Sequence, residues 1–469
     1  MEGCSRAPGE MTTPLASAVR SGGKDALSKV LSRFIPSVAK SELIADHAKG
    51  TYVWTVDGQK HLDMACGIGT MSTGHCHPAV VKAIQEQAPQ MIHAQQNIFA
   101  AAVPQVELLE RLRDIVPTEL TRYFFCNSGS EAVDNAVKIA RAHTGKQNII
   151  SFENSFHGRT YGAMALTNSK VYYRQGFGPL MPGTPVAPYP YCLQCKVRQA
   201  APNGDSWYSL APSIDDYDRR ICCNGPQEAL NWMLKQQTAP GDTAAIIVEP
   251  ILGEGGFLTP PPNFFPTLRE LCDKHGMLLI IDEVQSGVGR TGKWWGHQHF
   301  PGAEADIMLF AKGIASGFPF AGLVTKEHLG RGMDPGTMGG TYGGSVLGCA
   351  AACATLDAIQ DEKMLDNARE RGKQLVQGLL KFTEKYPIID IRGRGLMVAA
   401  EFGGKDGSLS AEYGVASAVT KACGKRNMIL LTAGARETIR FLPPLNVKKE
   451  EIEEALQILG EALADVFGK

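Results

Sequence analysis

A lysine and an aspartate, each at the end of an apolar run, are the side chains best placed to do chemistry. The run 307–311 ends on Lys312, and the run 277–281 ends on Asp282. Apolar runs of this length predict buried strands. A buried ammonium is costly unless it is paired, shifts its pKa or becomes an imine, and a buried carboxylate needs a cation. Alone, Lys312 would be interpreted as a surface residue at a strand end, and Asp282 makes a reactive pair the better interpretation.

The position of Asp282 indicates which cation its carboxylate could pair with. A glycine-rich segment, 287–292, follows it, so the acid lies where a strand leaves a sheet, and open α/β sheets bind ligands there. A protonated pyridine nitrogen would satisfy the carboxylate, and Lys312 could form a Schiff base with an aldehyde. These are the two main contributions that a protein makes to pyridoxal 5′-phosphate (PLP) chemistry.

A third segment could hold the phosphate of such a cofactor. A predicted strand, 122–126, is followed by Ser128 and Glu131 at capping-box spacing and by a predicted helix to residue 143. The free N–H groups at a helix N-terminus favour an anion, and Gly129 permits close approach. The pattern is compatible with a well-capped helix alone and with a phosphate site.

The combined segments 282–285 (Asp-Glu-Val-Gln) and 310–312 (Phe-Ala-Lys) resemble the signature of the class III aminotransferases, PLP enzymes of fold type I. The resemblance runs from about Tyr52 to the C-terminus. It implies an α/β fold with a large, mainly parallel-sheet domain and a smaller α+β domain built from both chain ends. It also implies a homodimer with shared active sites, or a tetramer of two such dimers.

The 469 residues are too many for one core, so we expect two domains. Residues 1–25 are expected to form a disordered tail or a targeting segment. Residues 26–75 are expected to begin the small domain, 76–345 to form the large PLP-binding domain, and 346–469 to complete the small domain. The order strand, helix, strand around Asp282 and Lys312 independently favours a parallel sheet with crossover helices.

The resemblance assigns roles to individual residues. Lys312 carries the cofactor and then moves the proton, and Asp282 keeps the pyridine nitrogen protonated. The other cofactor-binding residues that it implies are Gly129 and Ser130 at the phosphate, Phe156 and Val284 on the two ring faces, Gln285 near the ring oxygen, His157, and Thr341, which reaches the phosphate of the neighbouring subunit.

Substrate choice is expected to depend on Ile68, Arg159, Glu249 and Arg440. Arg159 would hold the distal carboxylate of every substrate, and Arg440 the α-carboxylate of glutamate. Because an unpaired buried arginine is costly, Glu249 would pair with Arg440 while a monocarboxylate is bound. These residues predict transamination of 4-aminobutyrate with 2-oxoglutarate, giving succinate semialdehyde and glutamate. Alternatives are an ornithine or other ω-amine aminotransferase, a PLP lyase or decarboxylase, and a PLP-binding protein without catalysis.

Charge and composition limit the partners. The net charge of −1 indicates no surface for nucleic acid, and no apolar run approaches the roughly 18 residues that span a bilayer. We expect small-molecule partners and a cytoplasmic location, or a mitochondrial one if the N-terminal tail is a targeting segment. The twelve cysteines are expected to be reduced thiols, and no metal is expected. Whether Cys192, Cys195, Cys222 and Cys223 bind a metal is left open.

Overall fold

The computed structural model describes residues 17–19, 21, 24–38, 41–195, 224–331, 333–404 and 408–468. The strands in these residues are β1 (Ala45–Lys49), β2 (Tyr52–Thr55), β3 (Lys60–Asp63), β4 (Leu120–Cys126), β5 (Asn148–Phe152), β6 (Val186–Ala187), β7 (Thr243–Val248), β8 (Leu278–Asp282), β9 (Ile307–Phe310), β10 (Ala321–Lys326), β11 (Ile388–Arg394), β12 (Met397–Phe402), β13 (Met428–Ile429), β14 (Leu431–Ala433) and β15 (Thr438–Phe441).

The helices are α1 (Lys24–Leu31), α2 (Cys66–Gly69), α3 (Pro78–Gln87), α4 (Val103–Ile115), α5 (Gly129–Thr144), α6 (Tyr161–Leu166), α7 (Gly225–Gln236), α8 (Phe264–His275), α9 (Glu327–Gly330), α10 (Val346–Asp361), α11 (Met364–Thr383), α12 (Val415–Gly424) and α13 (Lys449–Phe467). Short 3-10 turns include Val171–Tyr173, Cys192–Gln194 and Lys312–Ala315. Among the described residues, no helix is both long enough and apolar enough to span a membrane.

A seven-stranded sheet organises the molecule, in the order β4-β10-β9-β8-β7-β5-β6. Its pairs from β9 to β6 are parallel, and β10 runs antiparallel to both of its neighbours. Every residue of β7, β8 and β9 is buried. Strands covered on both faces are uniformly apolar because neither face meets water. The prediction of a mainly parallel sheet is confirmed.

The core lies on both faces of this sheet. Alternate side chains of one strand point to opposite faces. Ile280 accordingly packs in a cluster with the α5 residues Ala136 and Ala140. Its neighbour Ile281 packs in a second cluster with Leu356 of α10. The sheet is therefore fixed from two sides, which holds the ends of its strands in place.

The two ends of the chain meet in a smaller sheet. Strands β2 and β3 pair antiparallel and form a hairpin around Asp57 and Gly58. Strand β13 adds to it in parallel, with Met428 opposite Leu62. A third sheet, in the order β11-β12-β15-β14, is antiparallel throughout. The limits of the two domains stay a prediction.

Candidate active site

A cavity of about 280 Å³ opens at the carboxyl edge of the central sheet. Most of the residues that line it lie at or after the ends of β4, β5, β7, β8 and β9, which all point the same way. Those among them that the sequence singled out are Gly129, Ser130, Phe156, His157, Glu249, Asp282, Val284, Gln285 and Lys312. The structure thus brings together side chains from five separate segments of the chain.

Lys312 follows β9 in a strained conformation. Its φ is 45°, in the left-handed region that residues with a Cβ rarely adopt. Burial lowers the pKa of its amine, against the opposing charges of Glu254 and Glu249. Desolvation disfavours the ammonium, so the neutral, nucleophilic amine becomes accessible. The site therefore has an amine able to attack a carbonyl.

Asp282 ends β8, one strand away from Lys312. Its Oδ2 lies 2.7 Å from Nδ1 of the buried His157, and its Oδ1 accepts a hydrogen bond from the Val284 N–H at 3.0 Å. These contacts fix both carboxylate oxygens, and the acid is only 3 % exposed. A carboxylate oriented in this way can hold a cation that enters the cavity.

The segment after β4 forms a helix N-terminus that faces the cavity. The Ser128 Oγ accepts a hydrogen bond from the Glu131 N–H at 3.3 Å, which confirms the predicted cap of α5. A Cβ on Gly129 would lie 3.0 Å from a methyl group of Val284. Glycine therefore leaves the helix end open to an anion, where free N–H groups are available.

The cavity residues fit PLP. Both side-chain polar atoms of the buried Gln285 have no hydrogen-bond partner among the described residues. A ligand oxygen at this wall would satisfy the amide, since buried polar groups are normally paired. With Val284 and Phe156 in the wall, the helix end for a phosphate and Asp282 for a ring nitrogen, each part of the cofactor has a matching group.

The expected pair between Glu249 and Arg440 is wrong. The carboxylate of Glu249 accepts hydrogen bonds from the N–H groups of Phe156 and Gly253, at 2.9 and 2.8 Å. Arg440, on β15, instead pairs with Glu254, with Nη1 and Oε1 2.6 Å apart. Burial opposes the ionisation of Glu254, but the charge of Arg440 prevails and lowers its pKa. The two backbone donors keep Glu249 in place, and the glycine loop that follows carries Glu254 to the arginine.

Arg159, like Arg440, is not among the residues that line the cavity, and its guanidinium carbon lies 4.5 Å from the centre of the Tyr173 ring. Its backbone N–H donates to the Ser130 Oγ at 3.1 Å. The side chain is exposed, and among the described residues it forms no ion pair. Arg159 is therefore available to an incoming carboxylate.

Ile68 and Thr341 are both exposed and lie outside the cavity wall. Ile68 has a φ of 64°, which is strained for a β-branched residue. The turn before it is tied by Asp63, whose Oδ1 accepts from the N–H groups of Ala65 and Cys66. Contact of Ile68 with substrate and of Thr341 with a neighbouring subunit stay predictions.

Sequence reasoning missed Glu254 and Tyr173 as site residues. Glu254 had a visible signal, an acid among the glycines 253, 255 and 256. Tyr173 had none, because it lies fourteen positions beyond Arg159 in a segment without a motif. Only the folded chain shows that it contacts both Arg159 and Glu254.

The cysteine segment is only partly described. Cys192 and Cys195 lie at and after a 3-10 turn, and Cys222 and Cys223 fall outside the described residues. Within the described ranges, no three His, Cys, Asp or Glu side chains lie close enough together to hold a metal ion. Metal binding by the four cysteines stays open.

Comparison with known proteins was consistent with this geometry. Residues 35–463 match the family described as Aminotransferase class-III. The chain is 38 % identical over 427 residues to the 5-aminovalerate aminotransferase of Pseudomonas putida, covering 90 % of this chain and 94 % of that one. It is 36 % identical over 422 residues to the 4-aminobutyrate aminotransferase of Escherichia coli, covering 89 % and 93 %. A thermostable (S)-enantioselective omega-transaminase from Thermomicrobium roseum superimposes with a TM-score of 0.83 at 27 % identity, covering 94 % and 98 %.

Proposed function

This chain belongs to the class III aminotransferases and uses PLP, and we propose that it transfers the amino group of an ω-amino acid to 2-oxoglutarate. The proposed donor is 4-aminobutyrate, and the products are succinate semialdehyde and glutamate. Similarity to enzymes named for 5-aminovalerate and for 4-aminobutyrate supports a donor with its amine remote from its carboxylate.

One observation carries the proposal: the two arginines are in different states. Arg440 is buried and neutralised by Glu254, whereas Arg159 is exposed. A monocarboxylate donor needs only Arg159, and the Arg440–Glu254 pair remains closed. A dicarboxylate such as 2-oxoglutarate can use both arginines if Glu254 swings away, since a guanidinium binds a carboxylate well in two-point geometry. One site then accepts both substrates.

When bound, PLP supplies an electron sink that makes the hydrogen beside the amine acidic. Lys312, as a neutral amine, can take that proton and return it at a neighbouring carbon. Asp282, held by His157 and the Val284 N–H, would keep a ring nitrogen protonated. Arg159 would orient the substrate by its carboxylate, so that the reacting carbon lies near Lys312.

The test separates the two half-reactions. The double variant Arg440→Gln with Glu254→Gln removes both buried charges and leaves neither unpaired. We expect it to lower kcat/KM for 2-oxoglutarate by about 100-fold, the loss of one desolvated charge contact. Its rate with 4-aminobutyrate should change by less than about threefold, because the donor does not use Arg440.

Arg159→Gln should slow both half-reactions by about 100-fold. Arg426→Gln is the matched control, because that arginine pairs with Glu461 and Asp465. Rapid mixing with each substrate alone measures the two rates. An equal loss of both rates in the double variant would contradict the proposal. Turnover rates with 4-aminobutyrate, 5-aminovalerate and ornithine identify the preferred amino donor. Faster turnover of 5-aminovalerate or ornithine would show that 4-aminobutyrate is not that donor.

A further inference from the structure

Tyr173 contacts one proposed carboxylate anchor, Arg159, and the ion-pair partner of the other, Glu254. Its hydroxyl donates a hydrogen bond to the Glu254 Oε2 at 3.2 Å. Its ring lies under the Arg159 guanidinium, with 4.5 Å between the guanidinium carbon and the ring centre. The ring also meets the edge of Phe156, at 5.2 Å between centres and 67° between planes. Tyr173 thus contacts Arg159 through its ring and Glu254, the partner of Arg440, through its hydroxyl.

The Tyr173 hydroxyl is in surroundings that keep it protonated, so it can act as a hydrogen-bond donor. Tyr173 is 7 % exposed, and burial, followed by the charge of Glu254, raises the pKa of its phenol. The hydroxyl therefore stays protonated across the working pH range. A hydrogen bond to a charged acceptor stabilises it more than a bond between neutral groups does. The bond should therefore favour the position of Glu254 in which it pairs with Arg440.

We propose that Tyr173 is a positioning residue that sets the balance between monocarboxylate and dicarboxylate substrates. The inference rests on the proposed function of Arg159 and Arg440. Through its hydroxyl, Tyr173 keeps Glu254 on Arg440 and opposes the binding of a second carboxylate. Through its ring, it holds the Arg159 guanidinium by a cation–π contact and supports the binding of the first carboxylate.

The two effects can be separated by substitution. Tyr173→Phe keeps the ring and removes the hydroxyl, so Glu254 should leave Arg440 more easily. In the PLP-loaded enzyme, we expect glutarate, a dicarboxylate, to bind about 5-fold tighter, and valerate, a monocarboxylate, to be unchanged within about twofold. Isothermal titration calorimetry measures both affinities. Tyr173→Leu also removes the ring, and valerate should then bind about 5-fold more weakly.

A double-mutant cycle tests whether the hydroxyl acts through Glu254. In a Glu254→Gln background, Tyr173→Phe should no longer alter the ratio of glutarate to valerate affinity, since the charged acceptor is gone. Tyr413→Phe is the matched control, because Tyr413 is 98 % exposed. Melting temperatures and bound PLP in each variant identify a merely structural effect, which would change both affinities together.

The proposal is overturned if Tyr173→Phe leaves the ratio of glutarate to valerate affinity unchanged or lowers it. It is also overturned if the change persists in the Glu254→Gln background. These readouts use unreactive acids, so they do not depend on which ω-amino acid the enzyme converts. Failure to convert 4-aminobutyrate would therefore remove the proposed donor and leave the test of Tyr173 intact.

Discussion

Carboxylates in this site differ in what surrounds them, and their chemistry differs accordingly. Asp282 is held by His157, and Glu254 by Arg440 and Tyr173. Within the described ranges, the Glu249 carboxylate accepts hydrogen bonds only from backbone N–H groups, those of Phe156 and Gly253. Desolvation by burial is the largest cause that raises the pKa of Glu249, from 4.5 to about 7, and the charge of Asp282 adds to it. Glu249 should therefore titrate near neutral pH.

This shift predicts a pH-dependent stability. Between pH 4.5 and about 7, the unfolded chain loses the Glu249 proton while the folded chain keeps it. Folding therefore loses stability as pH rises through that window, by up to about 3 kcal/mol. Glu249→Gln has no such titration but leaves one backbone N–H without an acceptor, a cost that does not change with pH.

The destabilisation caused by Glu249→Gln should therefore shrink by about 3 kcal/mol between pH 4.5 and pH 8. Urea unfolding of both proteins at the two pH values, with the cofactor removed, measures the difference. A destabilisation that is the same at both pH values would show that folding does not raise the pKa of Glu249.

At the residue scale, the sequence predicts the groups that motifs fix in place. Asp282 ends β8, and Gln285 and Lys312 follow β8 and β9 within three positions, so their places at the sheet edge are set by the strands. The partner of Arg440 could not be predicted in this way. It depends on a loop contact, in which the Gly434 N–H donates to the Glu254 carbonyl at 2.6 Å and sets where that loop lies.

Among the elements, α5 links stability to cofactor binding. Its N-terminus is capped by Ser128 and opens on the cavity through Gly129 and Ser130. The Glu131 carboxylate also accepts from the Asn127 N–H, so the preceding turn is fixed as well. A helix end that is held by its own side chains keeps the remaining N–H groups pointed at one place.

Ser128→Ala should lower the free energy of unfolding by about 1 kcal/mol, the usual cost of losing an N-cap. It should also weaken PLP binding by about 5-fold, because the N–H groups that face the phosphate lose their orientation. Pyridoxal, which lacks the phosphate, is the matched ligand, and its affinity should not change. Urea unfolding and absorbance titrations provide the three measurements. If Ser128→Ala weakens the binding of PLP and of pyridoxal equally, the phosphate does not bind at the N-terminus of α5.

The strands could be predicted from the sequence, but their neighbours could not. Uniform burial of β7, β8 and β9 follows from their apolar residues. The insertion of antiparallel β10 between β4 and β9 depends on pairing between segments almost 200 positions apart, such as Gly322 with Phe125. Such pairings arise from tertiary packing, which a local pattern does not specify.

At the scale of the whole molecule, the stretch 92–103 carries four exposed apolar side chains. Ile92, Ile98, Phe99 and Val103 are 64, 75, 53 and 71 % exposed. Apolar side chains clustered over a short stretch indicate a surface that another protein covers. The homodimer expected from the family would bury such a surface, and it would also bring Thr341 of one copy to the site of the other.

We expect a mass close to twice 50.5 kDa in light scattering coupled to size exclusion. Phe99→Glu should dissociate the dimer, because burying an unpaired charge costs more than the contact gains. If the active site is shared between subunits, Phe99→Glu should also lower the transaminase activity. Tyr413→Phe, a change on another exposed ring, should leave the mass unchanged. A wild-type mass of one chain would contradict the shared site.

The central claim is that one site accepts a monocarboxylate donor and a dicarboxylate acceptor in turn. Its most direct test is to add 4-aminobutyrate alone to the PLP-loaded enzyme and record the absorbance spectrum. The account predicts conversion of the cofactor from its pyridoxal form to its pyridoxamine form, and return to the starting spectrum when 2-oxoglutarate is added. A spectrum that 4-aminobutyrate does not change, or a change that 2-oxoglutarate does not reverse, would contradict it.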